Sequence, residues 1–367
     1  MRRKAVDAPF LILVSALVVF GLLIFTSAAL GLLARGGGAS FTSVAVNQLL
    51  LGLLCGSVGL FLFARLDYRL LKPYTLHVFI CALLLTMLTF VPHIGLTLKG
   101  ASRWLALGPL TFQPVELLKL AAVLMLASLY ASNLRQVRTM RGGLVPFIIV
   151  AGSSCAILLA QPDTHGTVMI ALACAAMLFA AGGRAIHLLV LAALGMLVLG
   201  ALVLERPYLA ARFETFLNHS ADPLGADYQS QQALIAVGSG GMLGRGFGQS
   251  IEKFSYLPEP IGDSIFAVAA EEFGFAGSVL LVALFALFAI LGLRVAARAP
   301  DPFGGLIATG LVVIIAGQAL INMASILSLL PLSGLPLIFV SHGGSALAIA
   351  LCEVGIILSI SRHMKEA

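Results

Sequence analysis

The chain has 367 residues, of which 60% are hydrophobic and only 10% charged, with a net charge of +6 and a mean hydropathy of +1.06. A soluble domain is about one quarter charged, so this composition excludes an ordinary water-soluble fold and places the chain in a bilayer. The five cysteines lie in apolar runs with no CxxC spacing, which argues against disulfides and a thiolate metal site.

The first apolar run, 8–34, follows Met1-Arg2-Arg3-Lys4 and is longer than the core of a cleavable signal, so a retained anchor is expected. Breaking the chain at charges, Pro and Gly clusters gives ten spans: 9–33, 43–64, 75–92, 114–132, 144–160, 166–183, 186–204, 265–293, 303–329 and 342–361. The expected architecture is one all-α polytopic membrane domain over 1–367, with a large extracytoplasmic loop at about 205–264 between the seventh and eighth helices. With the N-terminus inside, 14 of the 22 basic residues fall on the cytoplasmic side, so both termini are expected there. The long loop then faces outward, and loops of that length are usually functional.

Charges at membrane depth are costly and normally face a cavity or a partner. Glu116 and Lys119 stand three apart on the fourth span and share a helix face, either as a plain ion pair or as a polar wall. Glu271 and Glu272 lie two turns into the eighth span, where one can pair with a buried base, and Glu353 stands alone in the tenth. Asp263 stands where the long loop re-enters the membrane, in Tyr256-Leu-Pro-Glu-Pro-Ile-Gly-Asp-Ser264. It can cap the following helix or serve as a base, and the helix dipole favours its ionised form in both roles. Ala267, Ala270, Gly274 and Gly277 behind it form a small-residue stripe suited to close packing.

The glycine-rich stretch Gly238–Gly248 matches no nucleotide-binding pattern; it is a mobile re-entrant loop, or one whose Arg245 and Lys253 contact pyrophosphate oxygens. Trp104 beside Arg103 fits an interfacial anchor. The histidines lack ligand spacing, so no fixed metal site is expected.

Seven segments in order resemble the SEDS family (shape, elongation, division and sporulation), the FtsW/RodA-like peptidoglycan polymerases. They are Gly100-Ala-Ser-Arg-Trp104, Gln113-Pro-Val-Glu-Leu-Leu-Lys119, Gln161-Pro-Asp163, Gln231-Gln-Ala233, Leu257-Pro-Glu259 with Asp263, Glu271-Glu-Phe-Gly274 and Pro331–Ser345. The resemblance implies that lipid II is joined into glycan strands at the outer face of the bacterial cytoplasmic membrane, with release of undecaprenyl pyrophosphate. It maps the family's essential aspartate onto Asp263 and its cavity acid and base onto Glu116 and Lys119. Arg103, Arg245, Lys253, Glu259 and Ser341 complete the expected substrate-binding set. It also implies a class B penicillin-binding protein as partner and a divalent cation, Mg²⁺ or Mn²⁺, with no nucleotide and no nucleic acid. A lipid-linked-oligosaccharide flippase and a non-enzymatic scaffold are the competing readings. The chain departs from the family pattern at Gln161-Pro-Asp-Thr-His-Gly-Thr167, which is one residue longer, and at Ile338, His342 and Pro260-Ile-Gly262. The division-type, FtsW-like branch is slightly preferred over the RodA-like one.

Overall fold

A bilayer core offers the backbone no hydrogen-bond partner, so apolar runs fold as helices that satisfy their own peptide groups. The computed structural model describes residues 6–34, 38–98, 101–107, 110–217 and 227–364. Arg2, Arg3, Lys4, Arg35, Lys99, Gly100, Asp222 and Lys365, which enter the charge and motif arguments, lie outside them.

The chain opens with three apolar helices, α1 (Ala8–Leu33), α2 (Phe41–Arg65) and α3 (Tyr68–Phe90). Helix α3 starts earlier than the expected 75, with a 3₁₀ stretch over Tyr68–Tyr74 that contains Pro73 and whose N-cap Asp67 accepts from Arg69 N. Next comes a small antiparallel sheet of β1 (Gly95–Leu98), β2 (Ala101–Leu107) and β3 (Leu110–Phe112) in the order β1-β2-β3. Gly95 pairs with Leu105, Leu96 with Trp104 and Leu105 with Phe112. A reading by apolar runs passed over this sheet, whose threonines and aromatics suit a half-buried pleated surface.

The sheet feeds α4 (Pro114–Ser132), which begins with Pro at its N-terminus, and α5 (Met140–Ala160) follows. The next helix, α6 (Thr164–Ala180), has 17 residues and stops short of the expected 183 because Gly182 turns left-handed at φ 82°. Then come α7 (Ala185–Glu205), α8 (Pro207–Leu217) and α9 (Tyr228–Ser239), so the long loop carries helices of its own. The chain finishes with α10 (Ile265–Ala297), α11 (Pro302–Ile326) and α12 (Gly344–Ser361). Among the described residues nine helices are long and apolar enough to cross a membrane, and the shorter apolar α6 occupies the place of the remaining expected span.

Burial separates centre from rim. The most apolar window of α12 is 83% buried and those of α4 and α11 are 67%, whereas that of α7 is 6%. Helix α12 lies along α2, while α11 packs on α10, α6 and α4. Helix α7 keeps Leu189, Met196, Leu197 and Leu204 exposed, as a lipid-facing helix must.

Helix α10 is broken at Gly274, which holds φ 67° and ψ −163°. The break is closed by the glycine-rich stretch: Phe275 N donates to Gly241 O at 2.8 Å and Ala276 N to Met242 O at 3.1 Å. In return Arg245 N and Gly246 N donate to Glu271 O and Glu272 O, each at 3.0 Å. A Cβ on Gly274 runs into the backbone at Gly244, and one on Gly244 into that at Glu272, so only glycine permits this approach. The small-residue stripe thus packs against a re-entrant segment of the chain's own loop.

At the far end of α10 the connections are short. Asp301 caps α11 by accepting from Gly304 N at 2.9 Å, and it also accepts from Tyr68 Oη at 2.5 Å and Arg69 Nε at 2.9 Å.

Candidate active site

Asp263 is half-buried at the mouth of α10. The N-cap position belongs to Ser264, no side-chain cap bond closes the helix, and Ser264 Oγ accepts instead from Gln229 Nε2 of α9 at 3.0 Å. Ser264 itself therefore makes no capping bond. The Asp263 carbonyl accepts from Asn322 Nδ2 of α11 at 2.9 Å, which fixes the backbone that carries the carboxylate.

The segment 331–343 wraps the other side of the acid. Gln318 Nε2 donates to Pro336 O at 3.1 Å and Asn322 Nδ2 to Leu335 O at 2.6 Å, so two amides one turn apart on α11 hold it. Ser341 Oγ donates to Gly262 O at 2.8 Å while accepting from Leu337 N at 2.8 Å. Gln48, from the π-helical part of α2, grips the next turn through Ser341 O at 3.2 Å and Gly343 N at 3.0 Å. Ser341 therefore ties loop to loop.

Gly334 is the hinge point of this arrangement, with φ 62°. A methyl group placed on it falls 3.2 Å from His165 Nε2, 3.4 Å from Asp263 Oδ2 and 3.7 Å from Arg212 Nη2. Three polar side chains thus converge over one missing side chain. Arg212, from α8, donates through Nη1 to His165 Nε2 and to Leu332 O, both at 3.1 Å. Arg103, from β2, donates to Pro162 O, has a buried Nε without a protein acceptor, and acts on His165 together with Asp163 and Arg212.

The remaining expected residues divide. Glu116 and Lys119 form a buried ion pair at 2.8 Å, and Lys119 also donates to Gln318 Oε1 at 2.8 Å. The pair therefore links through Gln318 to the wrapping segment, and Glu353 lies in electrostatic range of both charges. Lys253, expected to contact substrate, is 0% exposed and pairs with Glu272 at 2.5 Å, with Ser27 Oγ at 2.8 Å from its ammonium. A cation sealed in this way presents no surface to a pyrophosphate; its place is structural. Arg245 lies 3.5 Å from Glu271, whose carboxylate also accepts from Ser250 Oγ and Ile251 N. Glu252 has its carboxyl pushed up by burial and by Glu271, against Arg245. Glu259 is exposed, adopts φ 48° and shapes the turn by accepting from Gly262 N at 3.0 Å and Ser264 N at 3.3 Å. Burial holds the His342 imidazole below its ordinary value despite Glu259.

Sequence reading missed His165, Arg212, Gln48, Gln318 and Asn322. The last three carried a signal, being amides inside apolar spans. As for a resident divalent cation, among the described residues no three His, Cys, Asp or Glu side chains group closely enough to hold one. Around Gly334 the nearest side-chain atoms, those of His165, Asp263 and Arg212, supply a single carboxylate, whereas a hard ion takes several oxygens.

The family model described as FtsW/RodA/SpoVE, cell cycle protein, matches residues 8–366. The chain is 37% identical over 311 residues to the stage V sporulation protein E of Bacillus subtilis, covering 84% of this chain and 85% of that one. It is 36% identical over 368 residues to a probable peptidoglycan glycosyltransferase FtsW of Trichlorobacter lovleyi, covering 100% and 96%. A solved chain from work on the structural coordination of polymerization and crosslinking by a peptidoglycan synthase complex superposes with a TM-score of 0.79, at 29% identity and 99% coverage of both chains. With a multi-pass helical fold, seven motifs in order and a match along nearly its whole length, the chain belongs to the FtsW/RodA/SpoVE family.

Proposed function

We propose that this protein is a peptidoglycan glycosyltransferase that joins lipid II units at the outer face of the bacterial cytoplasmic membrane, with Asp263 as general base. The observation that carries this reading is the placement of a half-buried carboxylate at a helix mouth, with Arg212 and His165 beside it over Gly334. The acceptor's 4-hydroxyl attacks the donor's anomeric carbon while Asp263 takes its proton. The bond from that carbon to the pyrophosphate oxygen breaks, and its electron pair leaves with the lipid pyrophosphate. A positioned base contributes roughly 10²–10⁴-fold to such a step, and fixed cations stabilise the departing charge.

Both substrates are lipid-anchored, so a membrane-level site lowers the entropic cost of bringing them together. Both termini are cytoplasmic in this reading. The partner is a class B penicillin-binding protein that cross-links the emerging strand, in line with the relative solved as part of a peptidoglycan synthase complex. Any divalent ion arrives on the substrate's pyrophosphate. Likeness to relatives named probable peptidoglycan glycosyltransferase FtsW supports a division-type role.

The test is polymerisation of lipid II by the purified protein with its transpeptidase partner. Wild type yields glycan strands and Asp263→Asn yields none; full activity in the asparagine variant removes the base. A folded complex that moves lipid II across vesicles without joining it supports the flippase reading.

A further inference from the structure

The end of the bundle remote from Asp263 carries a group of arginines that no acid neutralises. Between Glu116 and Glu205 the sequence holds one acid, Asp163, and its side chain caps α6 beside His165, at the Asp263 end. Helix α5 has 21 residues, so its start lies about 30 Å from that cap. At this far end Arg135, Arg138 and Arg141 lie between the close of α4 and the first turn of α5, and Arg184 immediately precedes α7. All four are exposed. Among the described residues none of the four side chains has an ion pair or hydrogen bond to the protein. Elsewhere at this end bases are engaged: Arg69 pairs with Asp301, and Arg362 donates to Ala64 O.

The arginines stand on a bonded frame. Thr139 Oγ1 accepts from Gly142 N at 3.1 Å and donates to Gln136 O at 2.7 Å, and Tyr130 Oη anchors the turn by donating to Gly143 O at 2.9 Å. The two connections meet there, since a methyl group placed on Gly143 falls 3.4 Å from His187 Nδ1 in the first turn of α7. Toward the bilayer centre the same helices expose Ile148 and Ile149 on α5 and Ile186 and Leu189 on α7. Positive charge thus sits above a hydrocarbon-facing wall, and the chemistry complementary to both is a phosphate carried on acyl chains. Guanidinium forks match phosphate oxygens, and these four break no ion pair to reach one.

We propose that this corner is a docking site for anionic phospholipid, with Arg135, Arg138, Arg141 and Arg184 on the headgroup phosphates and acyl chains lying against Ile148, Ile149, Ile186 and Leu189. Topology alone asks only for positive charge on one side of the bilayer. It does not ask for four arginines gathered on a bonded turn, unpaired, above the lipid-facing sides of two helices. The site lies at the other end of the bundle from Asp263 and holds whether or not the chain polymerises lipid II.

The experiment takes the full-length protein from nanodiscs of mixed phosphatidylglycerol and phosphatidylcholine into native mass spectrometry and measures which lipid stays bound. Wild type retains phosphatidylglycerol in preference to phosphatidylcholine. Each single change among Arg135→Gln, Arg138→Gln, Arg141→Gln and Arg184→Gln weakens that retention by about fivefold, and the four together abolish the preference. Arg65→Gln with Arg294→Gln, which removes charge from the same end outside the corner, leaves it intact. An undiminished preference in the fourfold variant overturns the proposal, and the pair Arg141→Gln with Arg184→Gln serves if the fourfold variant does not fold. A loss in the Arg65 and Arg294 control as large as that in the Arg141 and Arg184 pair reduces the effect to net charge and overturns the site. If wild type shows no preference between the two lipids but binds a polyglutamate peptide through the same arginines, the corner takes an acidic protein segment and the lipid assignment is overturned.

Discussion

Two aspartates stand immediately before long helices at opposite ends of the bundle, and they are used differently. Asp301 is absorbed by its surroundings: it caps Gly304 N, accepts from Tyr68 Oη and pairs with Arg69. Asp263 leaves the N-cap to Ser264 and turns its carboxylate to the space over Gly334, where His165 and Arg212 converge. Both acids occupy similar sequence contexts, a break followed by an apolar run. What separates them is the origin of their neighbours: Asp301 is met by Gly304, Tyr68 and Arg69, whereas the segments that carry His165, Arg212 and Gly334 are folded toward Asp263. Chemistry is expected at the second kind of acid.

The largest effect should come from removing that difference. Asp263→Asn is expected to lower polymerisation by about 10²-fold or more, a loss that exceeds any change in the amount of folded protein. Asp301→Asn is expected to do the reverse, lowering the midpoint while each folded molecule stays active. An Asp263→Asn variant that unfolds at lower temperature and polymerises normally breaks the comparison outright.

The buried pair Lys253–Glu272 sharpens it at a third acid. Removing one partner of a buried pair strands a charge at a cost of about 3–5 kcal/mol, whereas replacing both with apolar groups is often neutral. Lys253→Met alone is expected to reduce folded yield severely, and Lys253→Met combined with Glu272→Leu to recover much of it. If instead Lys253→Met folds well and loses only substrate affinity, the lysine is a ligand contact after all. The same logic applies to Glu116 and Lys119, where a charge swap that restores function marks a plain ion pair.

Much of this was legible in sequence and some was not. The spans could be read because apolar runs between charges have one reading in a bilayer, and Asp263 drew notice as an acid at a membrane mouth, although a helix cap explained it as readily. The Glu271/Glu272 expectation of a buried basic partner was met by Lys253. Lys253 itself was read toward substrate, because a loop lysine looks solvated until the loop is seen folded back onto α10. His165, Arg212, Asp263 and Gly334 lie in four distant segments, so no local pattern announces their meeting. Gly334→Ala tests that convergence. A side chain there strains the backbone at φ 62° by about 1–3 kcal/mol and intrudes on all three groups. Activity should fall at least tenfold, with most of the folded protein retained.

The smallest effect is a pH dependence that belongs to Asp301 alone. Burial raises its pKa, but the bonds from Tyr68, Gly304 and Arg69 outweigh burial and hold the carboxyl below its ordinary value. A carboxyl depressed in the folded state contributes stability that is complete above the unfolded value of about 4 and is lost as pH falls toward the folded one. The wild-type midpoint should therefore drop below about pH 4 more steeply than that of Asp301→Asn, the two curves converging in acid. The contribution from Arg69 should be slight, since its side chain is 46% exposed and such pairs are screened by solvent. Added salt should then leave most of the difference in place, because the Tyr68 and Gly304 bonds do not depend on long-range charge. A difference abolished by salt reassigns the latch to Arg69 and makes the Asp301 end a surface ion pair in place of a saturated cap.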